Sequence, residues 1–217
     1  MKILSANDEL LRLENALRAE GFRFIAGVDE AGRGPLAGPV VAAAVVFPPG
    51  VPLPAVNDSK KLSAASREEL DAAVRAVPGV EVSVAAVTAA EIDDSDILRC
   101  THRAMREAVR ALAHCDFVLV DGLPVGGFPV PDRSVVKGDA QCACIAAASI
   151  AAKVFRDRLM MEYDREYPGY GFAEHKGYGT AGHLEALRRL GPCPIHRRSF
   201  APVRDLIAPP PEQLELF

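Results

Sequence analysis

The chain has 217 residues, of which 49% are hydrophobic and 25% charged, and its formal net charge is −4 at pH 7. These values exclude a disordered segment, a collagen-like fibre and a disulfide-stapled miniprotein. No apolar stretch approaches the roughly 20 residues that a membrane-spanning helix needs, and the five cysteines form no CxxC pair. We therefore expect a cytoplasmic protein that does not bind membranes.

The first half of the chain predicts two helices and three strands. Leucines at helical spacing indicate the first helix, and nearly unbroken apolar runs indicate strands that are buried on both faces. The spacing of Ser66 and Glu69 is that of a capping box, which opens or supports the second helix. In chain order the predicted elements are a helix from Leu10 to Gly21, strands at 24–30 and 40–47, a helix ending near Val77 and a strand at 80–87.

The second half predicts three helices and one more strand. A buried strand at 117–120 follows a helix at 97–113, and a long helix rich in small residues runs from Ala140 to about Tyr163. Thr180 caps a further helix that stops at Gly191. A run of strands followed by helices favours a mixed sheet with helices packed against it.

Two adjacent carboxylates, Asp29 and Glu30, stand at the end of the first predicted strand. Neighbouring strand residues point to opposite faces, so both serve one site only where the strand bends, which Ala31 and Gly32 permit. A strand that runs into a solvated turn is the competing interpretation, and for an isolated Asp-Glu pair it is the commoner one. The glycines that follow do not form a dinucleotide-binding loop, because a second strand follows them in place of a helix.

Two further aspartates occupy element boundaries. Asp121 directly follows the strand at 117–120, where open α/β sheets place functional groups, although a turn-forming Asp-Gly pair fits equally well. Asp139 precedes the long helix, and an aspartate at such a position is most often a helix cap. Asp157 lies about five helical turns further on, roughly 27 Å along a straight helix, so we expect it to form ion pairs and not to share a metal with Asp139.

Together, these four acidic side chains at strand ends and a helix start suit hard divalent cations, which prefer oxygen ligands. Two ions about 4 Å apart can activate water and stabilise the leaving oxygen of a phosphodiester. The five histidines lack zinc-ligand spacing, and neither a Gly-x-Ser-x-Gly elbow nor a P-loop occurs. Residues 133–204 are net basic, which fits either a nucleic-acid footprint or a solvated helix face. Metal-assisted phosphodiester chemistry is the favoured hypothesis.

An ordered series of motifs resembles those of bacterial ribonuclease HII, the type 2 ribonuclease H. The first motif is GVDEAGRGPLAGPV at residues 27–40. The others are DSKKL at 58–62, VDG at 120–122, GDA at 138–140, AASIAAKV at 147–154 with RD at 156–157, YP at 167–168, YGF at 170–172, HKGYGT at 175–180 and HRRSF at 196–200. The resemblance spans roughly residues 22–204. At 92–97 the chain has IDDSDI where the family commonly has Ile-Asp-x-x-Asn-Ile, and Asp96 still fits a helix cap.

The resemblance implies an α/β fold of the ribonuclease H type: a mixed β-sheet with helices packed on both faces and a helical C-terminal portion. It implies one catalytic domain over residues 1–206, followed by a proline-spaced tail at 207–217. It also implies that the catalytic carboxylates hold a divalent metal, Mn²⁺ or Mg²⁺, with two ions present when substrate is bound. The residues that match these metal ligands are Asp29, Glu30, Asp121 and Asp139.

The resemblance further implies contacts to the substrate. The loop Gly32-Arg33-Gly34 matches one whose backbone reads the 2′-hydroxyl at an RNA–DNA junction, and only glycine lets a backbone approach a ribose so closely. Tyr178 matches the tyrosine that stacks on the sugar of the following deoxynucleotide. The expected substrate-binding residues are Gly32, Arg33, Gly34, Tyr178 and, for a phosphate group, Lys60 or Lys61, for which an ordinary solvated lysine is a nearly equal alternative.

The implied activity is that of a metal-dependent endonuclease. It cleaves the RNA of RNA–DNA hybrids and cuts 5′ of ribonucleotides embedded in duplex DNA, leaving 3′-hydroxyl and 5′-phosphate ends, which suits ribonucleotide excision repair and DNA replication. A catalytically silent hybrid-binding module is disfavoured because all four carboxylates are present. A small-molecule α/β enzyme is disfavoured because the cofactor motifs fail.

The last five residues, QLELF at 213–217, resemble the Gln-Leu-x-Leu-Phe peptides by which bacterial replication and repair proteins dock on the sliding clamp. Three preceding prolines favour an extended segment that presents its side chains to an apolar pocket. Packing of this segment onto the protein's own core is the competing interpretation. The expected clamp-binding residues are Gln213, Leu214, Leu216 and Phe217.

Overall fold

A five-stranded sheet forms the centre of the protein, whose structure is a computed structural model that describes residues 10–51, 54 and 63–207. The strands are β1 (Ile25–Ala31), β2 (Val40–Val46), β3 (Glu81–Val87), β4 (Phe117–Asp121) and β5 (Asp132–Val135). Their order across the sheet is β3-β2-β1-β4-β5. The pairs β1–β2 and β2–β3 are antiparallel, whereas β1–β4 and β4–β5 are parallel, so the sheet is mixed, as predicted.

Helices cover both faces of this sheet. Those in the described residues are α1 (Arg12–Ala19), α2 (Ala64–Arg75), α3 (Ala89–Asp93), α4 (Ile97–Arg110), α5 (Ala143–Glu166), α6 (Phe172–His175), α7 (Ala181–Leu190) and α8 (Ala201–Ile207). One core joins α1, α2 and α5 to the sheet, and a second core joins α3 and α4 to its other face. The last three helices form the helical C-terminal portion. Within these residues, no helix has the length and apolarity to span a bilayer.

Strand β2 feeds both cores, which explains its nearly unbroken run of apolar residues. All seven of its residues are buried. Val41, Ala43 and Val45 face the α5 side, whereas the alternate residues face the α4 side. A strand covered on both faces has no solvent-exposed side chains, so it shows no polar alternation.

Helix α5 lies directly against β1, and the contact depends on small residues. A Cβ at Gly27 in β1 would lie 2.1 Å from the backbone carbon of Cys144 at the start of α5. The first three turns of α5 are rich in alanine and are buried. Only hydrogen at position 27 therefore allows the helix to come this close to the strand two residues before Asp29.

The N-terminus of α5 is capped from a distant part of the chain. The N-cap residue Cys142 makes no side-chain capping bond, whereas the Glu14 Oε1 atom of α1 accepts the Cys144 N–H at 2.9 Å. Glu14 is 2% exposed, and burial raises the pKa of its carboxyl group. An acidic side chain at a helix N-terminus complements the helix dipole, so Glu14 ties α1 to the central helix.

The structure corrects three local expectations. Helix α2 is capped by Ser63, whose Oγ accepts the Ser66 N–H at 3.1 Å, so Ser66 lies inside the helix and does not open it. Helix α5 starts after Asp139, which lies in a 3-10 turn (Gly138–Ala140), so this aspartate does not cap the helix. Strand β5 was not expected, because its short and partly exposed sequence lacks alternation. By contrast, Asp96 caps α4 and Thr180 caps α7, as predicted.

The close approach at Gly27 can be tested by adding one methyl group. Gly27→Ala should lower the free energy of unfolding by about 3 kcal/mol, because the methyl meets rigid backbone and overpacking is costly. Gly182→Ala is the matched control, since a Cβ there meets nothing within 4 Å and position 182 is helical. The control should gain about 0.5–1 kcal/mol from helix propensity. Similar urea midpoints for the two variants would contradict the close contact.

Candidate active site

A pocket of about 470 Å³ opens where β1 and β4 end side by side. Because these strands are parallel, their carboxyl ends lie at the same edge of the sheet. The pocket brings together the sequence-predicted residues Asp29, Glu30, Gly32, Arg33, Gly34, Asp121 and Tyr178. It also contains Arg67 of α2 and Ser149 and Lys153 of α5, which were not among the predicted site residues.

Asp29 is the most deeply placed carboxylate in the pocket, with 6% of its surface exposed. Its Oδ1 atom accepts the Glu30 N–H at 2.7 Å, and its side chain also bonds to Ser149. Burial raises the pKa of Asp29 well above its usual range, and the charges of Glu30 and Asp121 raise it further, while the bond to Ser149 opposes the shift. The three carboxylates therefore act on one another.

Glu30 and Asp121 are held by different partners. Glu30 Oε1 lies 3.3 Å from Arg33 Nη1, and burial raises the pKa of Glu30 although Arg33 opposes the change. Asp121 Oδ1 accepts the Gly138 N–H at 2.6 Å. This bond places the turn that carries Asp139 against the end of β4. Asp139 is 4% exposed and lies next to the pocket without lining it.

The donor set of this pocket fits a hard cation, although the side chains are not closed around a single point. Within the described ranges, no group of three or more His, Cys, Asp or Glu side chains is arranged to enclose a metal ion. Two carboxylates are instead engaged with Arg33 and with the Gly138 amide. Buried like charges whose pKa values rise together favour a cation, because it removes their mutual repulsion.

Two fully buried arginines hold the loop of Gly32, Arg33 and Gly34 in place. Arg197 donates to the carbonyl oxygens of Gly32 at 2.5 Å, Arg33 at 2.9 Å and Gly38 at 3.0 Å. Arg156 of α5 donates to three more carbonyls around the same loop, those of Ala37, Pro39 and Lys176.

The glycine at position 32 makes room for this arrangement. Gly32 has φ +93°, and a Cβ there would lie 2.1 Å from Arg156 Nε. Burial, followed by the charge of Arg156, lowers the pKa of Arg197 to about 9. Both arginines lie within sequence motifs, RD at 156–157 and HRRSF at 196–200, but the sequence predicts no role for either. The sequence offers no signal for these roles, because the acceptors are backbone carbonyls, which every residue carries.

Tyr178 lines the pocket beside Gly34. Its side chain is partly exposed, and a Cβ placed at Gly34 would lie 3.7 Å from the tyrosine Cε1 atom. The Arg156 guanidinium carbon lies 6.0 Å from the centre of the tyrosine ring. An exposed aromatic face beside an open glycine loop can stack on a ligand that contacts both.

A basic edge, formed by Arg67 and Lys153, borders the pocket. Asp157 holds both cations, with Oδ1 2.6 Å from Lys153 Nζ and Oδ2 3.7 Å from Arg67 Nη2. The prediction that Asp157 forms ion pairs is therefore confirmed. The other candidates for phosphate and partner binding, Lys60, Lys61, Gln213, Leu214, Leu216 and Phe217, lie outside the described residues.

Comparisons with known proteins agree with this geometry. The family model described as ribonuclease HII matches residues 26–203. A ribonuclease HII from Geobacter metallireducens is 54% identical over 201 residues, which cover 92% of this chain and 94% of the relative. The crystal structure of ribonuclease H2 from Pyrococcus horikoshii OT3 is similar with a TM-score of 0.68 and 26% identity, covering 84% of this chain and 96% of that one.

A second solved structure, the PCNA:RNase HII complex from Archaeoglobus fulgidus, has a TM-score of 0.63 and 26% identity over 76% of this chain and 85% of that one. The mixed sheet, its helices and these matches define a ribonuclease H-type endonuclease, a hydrolase that acts on RNA–DNA hybrids. The chain belongs to the ribonuclease HII family, and membership implies dependence on a divalent metal.

The repulsion within the pocket should appear in thermal stability. The folded protein raises the pKa of Asp29, so ionisation of this group opposes folding increasingly as pH rises above about 4. Asp29→Asn should therefore increase Tm at pH 7, by roughly 2–4 °C for each kcal/mol recovered, with little change at pH 4. Addition of Mg²⁺ should raise the Tm of the wild type more than that of the variant.

Glu91→Gln is a control variant whose Tm should change in the opposite direction. The hydrogen bonds from Thr88, together with Arg103, lower the pKa of Glu91 to about 2, so its ionised form supports folding above about pH 4.5. This variant should lose Tm at pH 7 and be indifferent to Mg²⁺. An unchanged or lower Tm of Asp29→Asn at pH 7 would contradict the cost that burial and the neighbouring carboxylates impose on a charged Asp29.

Proposed function

We propose that this pocket hydrolyses the phosphodiester bond on the 5′ side of ribonucleotides, in RNA–DNA hybrids and at single ribonucleotides embedded in duplex DNA. The products are a 3′-hydroxyl and a 5′-phosphate, which suits ribonucleotide excision repair and replication. The observation that carries the proposal is the position of the mutually repelling carboxylates of β1 and β4 beside the open backbone of Gly32 and Gly34.

The proposed metal ligands are Asp29, Glu30, Asp121 and Asp139, with Mn²⁺ or Mg²⁺ as the ion and two ions present with substrate. The all-oxygen donor set supports this choice, because hard cations prefer carboxylate oxygens. When bound, such ions activate water and stabilise the leaving oxygen. Asp29 is oriented by Ser149, and Asp121 by the Gly138 amide, so the protein fixes both side chains before substrate arrives.

The proposed reader of the sugar is the loop of Gly32, Arg33 and Gly34 together with Tyr178. The absence of a Cβ at Gly34 leaves backbone open to the pocket, where it can approach a 2′-hydroxyl, the group that distinguishes RNA from DNA. Tyr178 is placed to stack on the next sugar. The basic edge of Arg67 and Lys153 is suited to phosphates on the strand that enters the pocket, as Lys60 and Lys61 are proposed to be.

The proposed chemistry can be tested with a DNA duplex that carries one ribonucleotide. With Mg²⁺ or Mn²⁺, the wild type should nick this duplex 5′ of the ribonucleotide and leave an end that a DNA polymerase extends, while an all-DNA duplex remains intact. Asp121→Asn should lower the nicking rate by at least about a hundredfold, since it removes a charge that the metal needs. Binding of the uncut duplex should persist.

Asp132→Asn is the matched control, because Asp132 is an exposed aspartate at the opposite end of the neighbouring strand β5. This variant should nick at the wild-type rate. Nicking by Asp121→Asn within a few-fold of the wild type would refute the assignment of the site. A nick on the 3′ side of the ribonucleotide would refute the proposed position of cleavage.

We also propose that residues 207–217 recruit the catalytic domain, residues 1–206, to a sliding clamp. The motif QLELF at 213–217 supports this partner, as does the solved complex of an archaeal ribonuclease HII with PCNA. Leu214, Leu216 and Phe217 provide the apolar side chains that a groove on a partner would bind. The tail then contributes to location and not to chemistry.

Clamp recruitment can be separated from catalysis by changing the tail alone. Deletion of residues 213–217 should abolish binding to the bacterial clamp in a titration while leaving the nicking rate on a short duplex unchanged. Leu216→Ala should weaken clamp binding by at least tenfold, and Glu215→Gln is the control that should bind normally. Full clamp binding by the truncated protein, or none by the intact one, would rule out this partner.

A further inference from the structure

A chain of hydrogen-bonded histidines lies behind Tyr178, outside the carboxylate pocket. His183 of α7 and His196, which follows this helix in the chain, are 0% and 1% exposed. Their Nε2 atoms lie 3.1 Å apart. The Nδ1 atom of His183 lies 2.9 Å from the carbonyl oxygen of Tyr178. The chain of hydrogen bonds through these two buried imidazoles therefore ends at the backbone of Tyr178, the residue proposed to stack on substrate.

The partners of the two rings set their tautomers. The Cys193 N–H donates to His196 Nδ1 at 3.0 Å, so the proton of a neutral His196 lies on Nε2. That proton is donated to His183 Nε2, which leaves the His183 proton on Nδ1 to be donated to the Tyr178 carbonyl. These hydrogen bonds, which we call the relay, therefore all run in one direction, from the Cys193 N–H through His196 and His183 to the Tyr178 carbonyl.

A third histidine holds the residue just before Tyr178. His175 Nδ1 accepts the Gly177 N–H at 3.2 Å, its Nε2 atom donates to the Tyr170 carbonyl, and its ring stacks on His183 with centres 4.4 Å apart. The carbonyl of Gly177 in turn accepts the Leu36 N–H at 2.8 Å. These contacts fix Gly177, which precedes Tyr178 and is hydrogen-bonded to Leu36, two residues after the glycine loop.

We propose that His183 and His196 are positioning residues for Tyr178. Their relay fixes the tyrosine backbone so that the ring stands at a set distance from Gly34, and this distance determines how strongly the enzyme favours a single embedded ribonucleotide over a continuous hybrid. The inference rests on the proposed stacking role of Tyr178. Neither histidine lines the carboxylate pocket, so the relay acts on the substrate only through Tyr178.

The relay requires both rings to be neutral. Protonation of His183 would place two N–H groups face to face at 3.1 Å, and protonation of His196 would place its Nδ1–H against the Cys193 N–H at 3.0 Å, in both cases in a buried site. Burial lowers the pKa of both histidines, that of His196 to about 4, and each charge would disfavour the other. The titratable groups around the pair are His175, Tyr170 and Cys193, with Glu166 acting on Cys193. The relay therefore stays intact as pH falls from 8 to 7, and it is lost at a lower pH than an exposed histidine pair would be.

The test compares kcat/KM on a duplex with one ribonucleotide and on a continuous hybrid. Tyr178→Ala should reduce the ratio of the two values by about tenfold, as expected for the loss of a stacking contact. His183→Leu, which removes the donor to the Tyr178 carbonyl, should reduce the ratio by about fivefold, mainly through KM. His183→Asn retains a side-chain N–H near the position of Nδ1 and should recover part of the ratio. The wild-type ratio should be constant from pH 7 to 8, where both rings are neutral.

A double variant separates the relay from a general loss of structure. In the Tyr178→Ala background, His183→Leu should change the ratio no further, since its effect passes through the tyrosine. The chain has no tryptophan, so Tyr178→Trp provides a single fluorescent reporter, whose anisotropy should fall when His183→Leu is added. His114→Leu, at a partly exposed histidine that binds Glu81, is the control and should leave the ratio unchanged.

The outcomes distinguish the two levels of inference. If Tyr178→Ala leaves the ratio unchanged, the stacking role proposed above fails. If Tyr178→Ala lowers the ratio but His183→Leu does not, or if the two effects add fully in the double variant, the relay is overturned and the stacking role stands. If the His183→Leu protein unfolds, His196→Asn decides, because it removes the donor to His183 Nε2. The relay predicts a lower ratio and a lower reporter anisotropy in that variant, and an unchanged ratio with an unchanged anisotropy in the folded protein would overturn it.

Discussion

Two buried guanidinium groups determine the shape of the pocket. Arg156 and Arg197 are fully buried, and their acceptors in the structure are backbone carbonyl oxygens drawn from residues 32–39 and from Lys176. A buried charge is costly unless its hydrogen bonds are made, by several kcal/mol for each ion. A loop that moved away would leave those charges unsatisfied, so the arginines impose a rigidity that a glycine-rich sequence does not have by itself.

This rigidity would serve the proposed recognition of a single hydroxyl group. A flexible backbone could adjust to ribose or deoxyribose alike, whereas a fixed one contacts the 2′-oxygen only if it is present. The same loop begins two residues after Glu30, to which Arg33 is bonded at 3.3 Å. The loop proposed to read the sugar and the carboxylates proposed to hold the metal are therefore fixed relative to one another by the same few hydrogen bonds.

The charged carboxylates of the proposed metal site destabilise the folded protein close to this loop. Burial raises the pKa of Asp29 and of Glu30, which shows that the fold holds these carboxylates where their charged forms are disfavoured. A cation would reverse that preference, so affinity for metal and loss of stability have the same origin. The tight packing of β1 against α5 at Gly27 compensates by burying apolar surface two residues away.

The sequence was sufficient where the structure depends on local patterns. The buried strands β1, β2 and β4, the helix caps Asp96 and Thr180 and the shared position of Asp29 and Asp121 all follow from periodicity or from strand ends. It was insufficient where partners are distant in the chain. Ser66 has capping-box spacing, but the Ser63 side chain forms the cap, and spacing alone does not distinguish the two.

The arginines and histidines show the same limit more strongly. Arg197 bonds to residues about 160 positions away, and its acceptors are carbonyls that every residue carries, so no residue type marks them. The spacing of His183 and His196 in the sequence does not reveal their role, since their hydrogen-bond partners are each other and the backbone. The motifs contained Arg156, His196 and Arg197 but not His183, and the distances that give these residues a role appear only in three dimensions.

These buried arginines also change the meaning of the charge distribution. The basic excess of residues 133–204 suggested either a nucleic-acid footprint or a solvated helix face. Arg156 and Arg197 are neither, because both are buried and bind the protein's own backbone. Lys153 does reach the pocket, where Asp157 holds it. Part of the positive charge of this half therefore holds the loop proposed to contact substrate, and a net charge counted along the chain overstates what a polyanion would meet at the surface.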